Sequence, residues 1–358
     1  MPEAYTESFS HWLQLGQKLE AEGKIADAIA AYDRAIALLR SSGSSREIAD
    51  RRALGIAWMN RGNALQKLPA SSHERERVDS ESTHPDVLAA YDAAIALFET
   101  LPYETDPAFR NHLGAAWLNR GHALLVANRL ADAAHSFEQA IALLQTLPLE
   151  TDPYYRLNLS GAQTNLAHAT FATTPERALA ATRAALETLR DVERAHDAFA
   201  AMSLRARRAM VMAIGEILRR GSQETALANE ATDAIEDGLA LMRDYETRGN
   251  PTLRPLAARL FQLGAQIYRI HQPHFLAEFV LESLATPSLA ADPAFRTVAD
   301  AALADTLADL QRPQLFVAGT PDSDRRRDIA ATLRSAQERL ATSSAEHPSS
   351  TNKANSLS

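Results

Sequence analysis

The chain has 358 residues, with 45 acidic and 37 basic side chains, a net charge of −8 and no cysteine. The lack of cysteine excludes disulfides, thiolate metal ligands and a cysteine nucleophile, and the acidic balance argues against nucleic acid, which requires a basic face. No apolar run reaches the ~20 residues that a membrane helix needs, and the N-terminal MPEAYTESFSHW lacks the segments of a signal peptide. We therefore expect a cytoplasmic protein without nucleic-acid or membrane partners.

The composition favours an all-α fold. Alanine, the strongest helix former, is abundant, and aromatic residues make up only 6% of the chain. No stretch alternates apolar and polar residues as a half-buried strand would. Helices that pack closely through small side chains are the expected result.

A recurring residue pattern predicts six helical hairpins in chain order. The first runs from Trp12 to Leu39 and carries Gly16 in one helix and Tyr32 in the next. The next two have the same frame, with Trp58, Gly62, Leu65, Tyr91 and Ala94, then Trp117, Gly121, Leu124, Ala133, Phe137 and Ala140. Weaker copies follow around Ala167 and Ala178, around Gly215 and Ala231, and around Gly264 and Val280.

This pattern closely resembles the tetratricopeptide repeat, whose unit has W-x2-LG-x2-Y in a first helix (helix A) and A-x3-F-x2-A in a second (helix B). The resemblance covers about residues 8–285 and implies a right-handed α-solenoid that binds other proteins. The spacing exceeds the family's roughly 34 residues, since Gly16 and Gly62 are 46 residues apart. The extra ~12 residues predict helices lengthened by about three turns in each unit.

The linkers contain helix-start signals. TLPYETDPAFR (100–110) and TLPLETDPYYR (146–156) are near copies, in which Asp is the expected N-cap and Pro the first helical residue. SLATPSLAADPAFR (283–296) contains the same Asp-Pro pair, so Pro293 is expected to be the first residue of a capping helix that ends near Gln311. The charged insertion 69–83 is interpreted as a disordered loop, with a partner-contacting lid as the alternative.

These elements predict three segments. Residues 1–311 form the repeat domain with its capping helix. Residues 312–342 contain a connector and a charged amphipathic helix, Ser323 to Leu340. Residues 343–358 are polar and are expected to be a disordered tail.

A candidate binding surface follows from the near-identical AWMNRGNAL and AWLNRGHAL. Helical rotation places the two Asn of the first copy opposite Trp58, on the side that lines the concave groove of stacked hairpins. The candidates form two rows, Asn60–Asn119–Asn165 and Asn63–His122–His168. The pattern resembles the N-L-G-N of kinesin light chains and LGN-type adaptors, and this resemblance implies that the Asn row holds an extended peptide. The alternative is that these residues are ordinary solvated side chains.

A second row of candidates is Arg51, Arg110 and Arg156, which occupy equivalent places near the starts of the same helices. They could receive acidic side chains of a partner. The favoured alternative is local pairing with linker acids such as Asp106 and Asp152. A clamp for chaperone C-terminal carboxylates is not expected, because Leu13, Met59 and Leu118 stand where that clamp has Lys.

No catalytic, phosphate-binding or dinucleotide motif is present. His271 and His274 lack an evident carboxylate co-ligand, so no metal and no cofactor are expected. The sequence predicts a non-catalytic adaptor that binds an extended peptide of another protein. The alternative is a regulatory or sensor subunit that acts through its C-terminal helix, and a homo-oligomer is possible.

Overall fold

The computed structural model describes residues 8–41, 47–68, 85–222, 224–248, 250, 252–271, 275–284, 286, 289, 292–310 and 323–346. All regular secondary structure in these ranges is helical, in fourteen α-helices, which confirms the all-α prediction. None of these helices is both long and apolar enough to cross a bilayer. The chain divides into two compact units, unit 1 (Met1–Leu189) and unit 2 (Arg190–Ser358).

Unit 1 consists of four helical hairpins, each with a helix A followed by a helix B. The helices are α1 (Phe9–Ala21), α2 (Ile25–Ser41), α3 (Ile48–Lys67), α4 (Pro85–Glu99), α5 (Pro107–Val126), α6 (Leu130–Leu144), α7 (Pro153–Thr170) and α8 (Pro175–Leu189). Each helix B contacts the helix A of the following hairpin, and consecutive A helices also contact each other. The four A helices therefore line one side of the unit, which we call the helix A face.

Small residues in the A helices bring the two helices of a hairpin together. A Cβ added to Gly62 on α3 would lie 2.7 Å from Cε1 of Tyr91 on α4, and one added to Gly121 would lie 2.6 Å from Cε1 of Phe137 on α6. Both aromatic side chains are fully buried. The Gly positions of the repeat pattern are thus required by packing, as expected.

The lengthening of the repeat is located in the A helices. The helices α3 and α5 have 20 residues each. Two turns before the pattern glycine, α3 carries Gly55 and α5 carries Gly114. A Cβ added to Gly55 would lie 2.5 Å from Cε1 of Phe98 on α4, and one added to Gly114 would lie 2.7 Å from Leu144 on α6. These contacts extend the close approach of helices A and B along the additional turns.

The copied linkers act as helix caps. The side chain of Asp106 accepts a hydrogen bond from the backbone N–H of Ala108, and Asp152 does the same for Tyr154. Proline occupies the first position of both helices. The predicted starts of α5 and α7 are therefore confirmed, and the chain enters both A helices with the same geometry.

Unit 2 contains six helices: α9 (Asp197–Arg219), α10 (Thr225–Thr247), α11 (Arg254–His271), α12 (Leu276–Leu284), α13 (Pro293–Leu310) and α14 (Ser323–Glu346). The helix α11 packs against α9, α10, α12 and α13. Its Phe261 ring lies 4.9 Å from that of Phe279 on α12 and 4.2 Å from that of Phe295 on α13, centroid to centroid. These rings join the three helices into one core.

The glycine packing of the α9–α10 hairpin differs from the repeat pattern. A Cβ on Gly215 would lie 3.7 Å from Cδ1 of Ile267 on α11, and no atom of its own helix B, α10, lies within 4 Å of that position. Instead α10 carries Gly238, whose added Cβ would meet Leu204 of α9 and Leu260 of α11. The pattern locates the hairpin correctly, but the close approach occurs at a different glycine.

The C-terminal helix is part of unit 2. The helix α14 contacts α12 and α13 through a stripe of buried residues, Ile329, Leu333, Ala336 and Leu340. It ends at Glu346, beyond the expected end at Leu340 and inside the segment predicted to be a disordered tail. The structure thus places the helix that motivates the regulatory alternative in a packed position.

Three predicted features lie outside the described residues, namely the insertion 69–83, the connector 312–322 and the tail after Glu346. Predicted boundaries at residues 311 and 342 remain predictions. The capping helix does begin at Pro293, as expected, and ends at Leu310.

Candidate functional site

The Asn60–Asn119–Asn165 row lies on α3, α5 and α7, three consecutive A helices that contact one another. All three side chains are partly exposed. Within the described residues, the side-chain amides of Asn60 and Asn165 make no hydrogen bond with the protein. Each amide therefore offers two N–H donors and one oxygen acceptor at the surface.

Asn119 and Asn63 link α5 to α3. The amide nitrogen of Asn119 donates to Oδ1 of Asn63 over 3.2 Å. The same oxygen accepts a hydrogen bond of 2.8 Å from the hydroxyl of Tyr91 on α4. The amide of Asn119 therefore takes part in the contact between neighbouring hairpins.

The bond network continues from Tyr91 to the histidine row. Gln66 donates to the Tyr91 hydroxyl over 2.7 Å, and its side-chain oxygen lies 3.1 Å from Nδ1 of His122. Burial is the largest influence on the Tyr91 hydroxyl and raises its pKa, while the hydrogen bond from Gln66 lowers it by less. The pKa of Tyr91 is therefore raised, and the phenol stays neutral. We call the set Asn63, Gln66, Tyr91, Asn119 and His122 the α3–α5 network.

The two histidines of the second row differ in exposure. His122 is exposed, whereas His168 is half-buried on α7, where most residues are buried. Of the two imidazole rings in this row, the one on α5 is therefore the more accessible to a ligand.

The arginine row is engaged by backbone carbonyls. Nη1 of Arg51 donates to the Thr100 carbonyl over 2.7 Å. Nε of Arg110 donates to the Tyr103 carbonyl over 3.0 Å, and its Nη2 donates to the Glu104 carbonyl. Each bond ties the start of a helix A to its own linker or to the end of its own helix B.

Arg156 repeats this arrangement in the fourth hairpin. Its Nε donates to the Leu149 carbonyl over 3.2 Å and its Nη1 to the Thr188 carbonyl over 3.3 Å. No linker carboxylate in the described residues forms an ion pair with any of the three arginines. Asp106 and Asp152 are occupied as helix caps, which is why the favoured local pairing takes place with carbonyls instead of acids.

The Arg inside the repeated NRG motif connects one hairpin to the preceding one. Nε of Arg61 on α3 lies 2.6 Å from Oδ1 of Asp33 on α2. Its guanidinium also lies 5.6 Å from the ring centroid of Trp58, within the range of a cation–π contact. Sequence reasoning missed this role, although a signal exists, because Tyr-Asp occurs at 32–33 and again at 91–92.

The side-chain positions of the described residues do not meet the needs of a metal site. Within the described residues no group of three or more His, Asp or Glu side chains could hold a metal ion. The pair His271 and His274 cannot be placed, since the side chain of the first and all of the second lie outside the described part of the chain.

Comparison with known proteins gives only distant similarities. No family model matches the chain, and no curated protein matches it. A solved structure of a putative kinesin light chain with nearly identical TPR-like repeats, from Podosopora anserina, is 15% identical, with coverage of 67% of this chain and 96% of that one and a TM-score of 0.45.

Two further solved structures are similar. Nro1, described as a hypoxic regulator of sterol synthesis and a nuclear import adaptor, is 13% identical over 90% of this chain and 91% of that one, with a TM-score of 0.39. The TPR domain of P58(IPK) is 15% identical over 95% of this chain and 99% of that one, with a TM-score of 0.20. From its own helix pairing and Gly–aromatic contacts, unit 1 is a stack of helical hairpins.

Proposed function

We propose that the chain is a non-catalytic adaptor that binds an extended peptide of a partner protein along the helix A face of unit 1. The observation that carries this proposal is the state of Asn60 and Asn165, whose partly exposed amides make no hydrogen bond within the described protein. A peptide in extended form presents one N–H and one C=O per residue, and an amide can bond with both. Such contacts hold a main chain whatever its side chains are.

The residues between these two amides have a positioning role in this proposal. Asn119 keeps its own oxygen available while its nitrogen is held by Asn63, and Tyr91 fixes Asn63 from the other side. Its orientation is therefore set before a ligand arrives, which lowers the entropy cost of binding. His122, the exposed member of the α3–α5 network, would add a donor or acceptor at the edge of the peptide.

The arginine row has a different role in this proposal. Arg51, Arg110 and Arg156 each donate at least one hydrogen bond to a carbonyl of the same hairpin, so we assign these three residues to hairpin closure. The absence of cysteine and of a membrane-spanning pattern is the ground on which we propose a cytoplasmic location. The partner is proposed to be a protein, since the acidic chain is unsuited to nucleic acid.

The test uses affinity capture from native lysate followed by mass spectrometry. The binding variant is Asn60→Ala/Asn165→Ala, which leaves the α3–α5 network intact. The matched control is Gln139→Ala/Gln145→Ala, which removes two exposed amides from the end of α6, a helix B. Equal helicity and equal urea midpoints would show that both variants are folded.

The proposal predicts a partner that the wild type and the control capture and the binding variant loses. A synthetic peptide from that partner should then bind the wild type at least about tenfold more tightly than the binding variant, equivalent to about 1.4 kcal/mol. Identical captures by all three proteins would contradict the proposed surface.

A further inference from the structure

Charge is unevenly distributed between the helices of unit 2. The helix α9 and its C-cap carry five arginines: Arg205, Arg207, Arg208 and Arg219 in the helix, and Arg220 at the cap. Three of these are neutralised within the unit. Arg207 lies 2.9 Å from Glu193, and Arg219 and Arg220 lie 2.6 and 2.9 Å from Glu216. The acids of the neighbouring α10 include the exposed Asp233, Glu236 and Asp237.

The remaining two arginines of α9, together with Arg259 of α11, are not neutralised. No carboxylate of the described residues lies within ion-pair distance of Arg205, Arg208 or Arg259. Arg205 and Arg259 are exposed and Arg208 is half-buried. Burial, and after it the positive charge of Arg259, lower the pKa of the Arg208 guanidinium. A partly desolvated cation with a second cation nearby favours an added anion.

The packing places the three side chains on one surface. Leu204 of α9 and Leu260 of α11 both approach the same glycine of α10, Gly238, so these two residues are at the same level. Arg205 and Arg259 are their direct neighbours in sequence. The side of α9 that faces α11 is marked by Gly215, which approaches Ile267 of α11. At 100° per residue, Arg208 lies about 40° around the helix from Leu204, on this same side.

Apolar side chains share this surface with the arginines. Met212 of α9 and Leu263 of α11 are partly exposed. Ile270, two turns further along α11 from Leu263, is 64% exposed. By the same helical rotation these three lie on the side of each helix that carries Arg205 and Arg259. A ligand that matches the surface therefore has both negative and apolar groups.

We propose that the α9–α11 surface, defined by Arg205, Arg208 and Arg259, binds an acidic peptide segment of a partner protein that also carries apolar side chains. Carboxylates of Asp or Glu accept hydrogen bonds from the guanidinium groups, while apolar side chains contact Met212 and Ile270. A long nucleic acid fits less well, because it has no apolar side chains and the acids of α10 lie on the adjacent helix. This surface is independent of the peptide contact proposed for unit 1.

The test measures binding by the full chain of a short fluorescein-labelled peptide of alternating Glu and Leu, using fluorescence anisotropy. The same peptide with Gln in place of Glu should bind at least about tenfold more weakly, and added salt should weaken only the Glu peptide. Arg205→Gln/Arg208→Gln/Arg259→Gln should reduce affinity for the Glu peptide at least about tenfold.

The matched control is Arg40→Gln/Arg52→Gln/Arg339→Gln, which removes the same charge from three exposed arginines elsewhere. It should retain affinity within about twofold. Because Arg208 is half-buried, the double variant Arg205→Gln/Arg259→Gln serves if the triple variant is unfolded, and it should also bind more weakly than the control. Equal loss in variant and control, equal binding of the Glu and Gln peptides, or equal competition by single-stranded DNA would each overturn the proposal.

Discussion

Arg120 on α5 reaches back to the preceding hairpin, where its Nε lies 2.7 Å from Oδ1 of Asp92 on α4. Its Nη1 also donates to the buried hydroxyl of Ser136 over 2.8 Å, and its guanidinium lies 5.5 Å from the ring centroid of Trp117. Arg61 pairs with Asp33 in the same manner. The repeated Arg is thus an element of the stacking of hairpins, in a place where the resembling proteins have Leu.

The first prediction concerns this arginine. Arg120→Leu should lower the free energy of unfolding by about 1–3 kcal/mol, since it removes bonds to two helices and a ring contact. Asp92→Asn should cost no more than about 1 kcal/mol, because the Asp92 side chain is 56% exposed and the ion pair is screened by water. Urea unfolding followed by circular dichroism measures both. A larger loss for Asp92→Asn than for Arg120→Leu would contradict the assigned roles.

The second prediction compares glycines at equivalent places in the repeat. Gly121→Ala should destabilise the protein by about 1–3 kcal/mol, because the new methyl group would overlap the ring of Phe137. Gly215→Ala should instead be neutral or stabilise by up to about 1 kcal/mol, since the nearest atom lies at an ordinary 3.7 Å and Ala is the better helix former. Thermal unfolding of the two variants tests this difference in sign, and equal effects would refute the packing argument.

The third prediction concerns the α3–α5 network. Tyr91→Phe removes the hydroxyl that donates to Asn63 and accepts from Gln66. We expect a loss of about 1–3 kcal/mol, because partly buried polar groups lose their partner. Phe137→Tyr in the next hairpin is the control, as it adds a hydroxyl where the sequence has none.

Hydrogen exchange provides a second measure of the Tyr91→Phe variant. Its amides in α3 and α5 should exchange faster than in the wild type, while those in α10 and α11 keep their rates. Uniform acceleration across both units would show that the network does not act locally between the two hairpins.

The fourth prediction concerns pH and His112. Burial is the largest influence on this side chain and lowers its pKa below the ordinary value of 6.5, although the hydrogen bond with the Ala108 carbonyl opposes the shift. The unfolded chain therefore binds more protons than the folded one between the lowered pKa and 6.5. Stability from this group is complete above that window and is lost as the pH falls through it.

Urea unfolding at a series of pH values measures the effect. The free energy of unfolding of the wild type should decrease more steeply than that of His112→Gln as the pH falls below about 6.5. NMR titration of the imidazole provides the direct check. Parallel stability curves for the two proteins, or an imidazole pKa above 6.5, would contradict the argument.

The sequence by itself determined the class of fold, the hairpins and the starts of α5, α7 and α13. Helix propensity, the spacing of Gly16, Gly62 and Gly121 and the Asp-Pro caps are local properties, so they can be read from neighbouring residues. It also located both copies of the NRG motif.

Only the tertiary structure decided which polar residues are engaged and which remain available. Asn63 and Asn60 are three residues apart on one helix, yet the first is held by Tyr91 and Asn119 while the second makes no protein hydrogen bond in the described residues. The partners come from residues 28 and 56 positions away, so periodicity along one helix carries no information about them. For the same reason the use of Gly238 instead of Gly215 follows from how α11 packs on α9 and α10, and not from the repeat pattern.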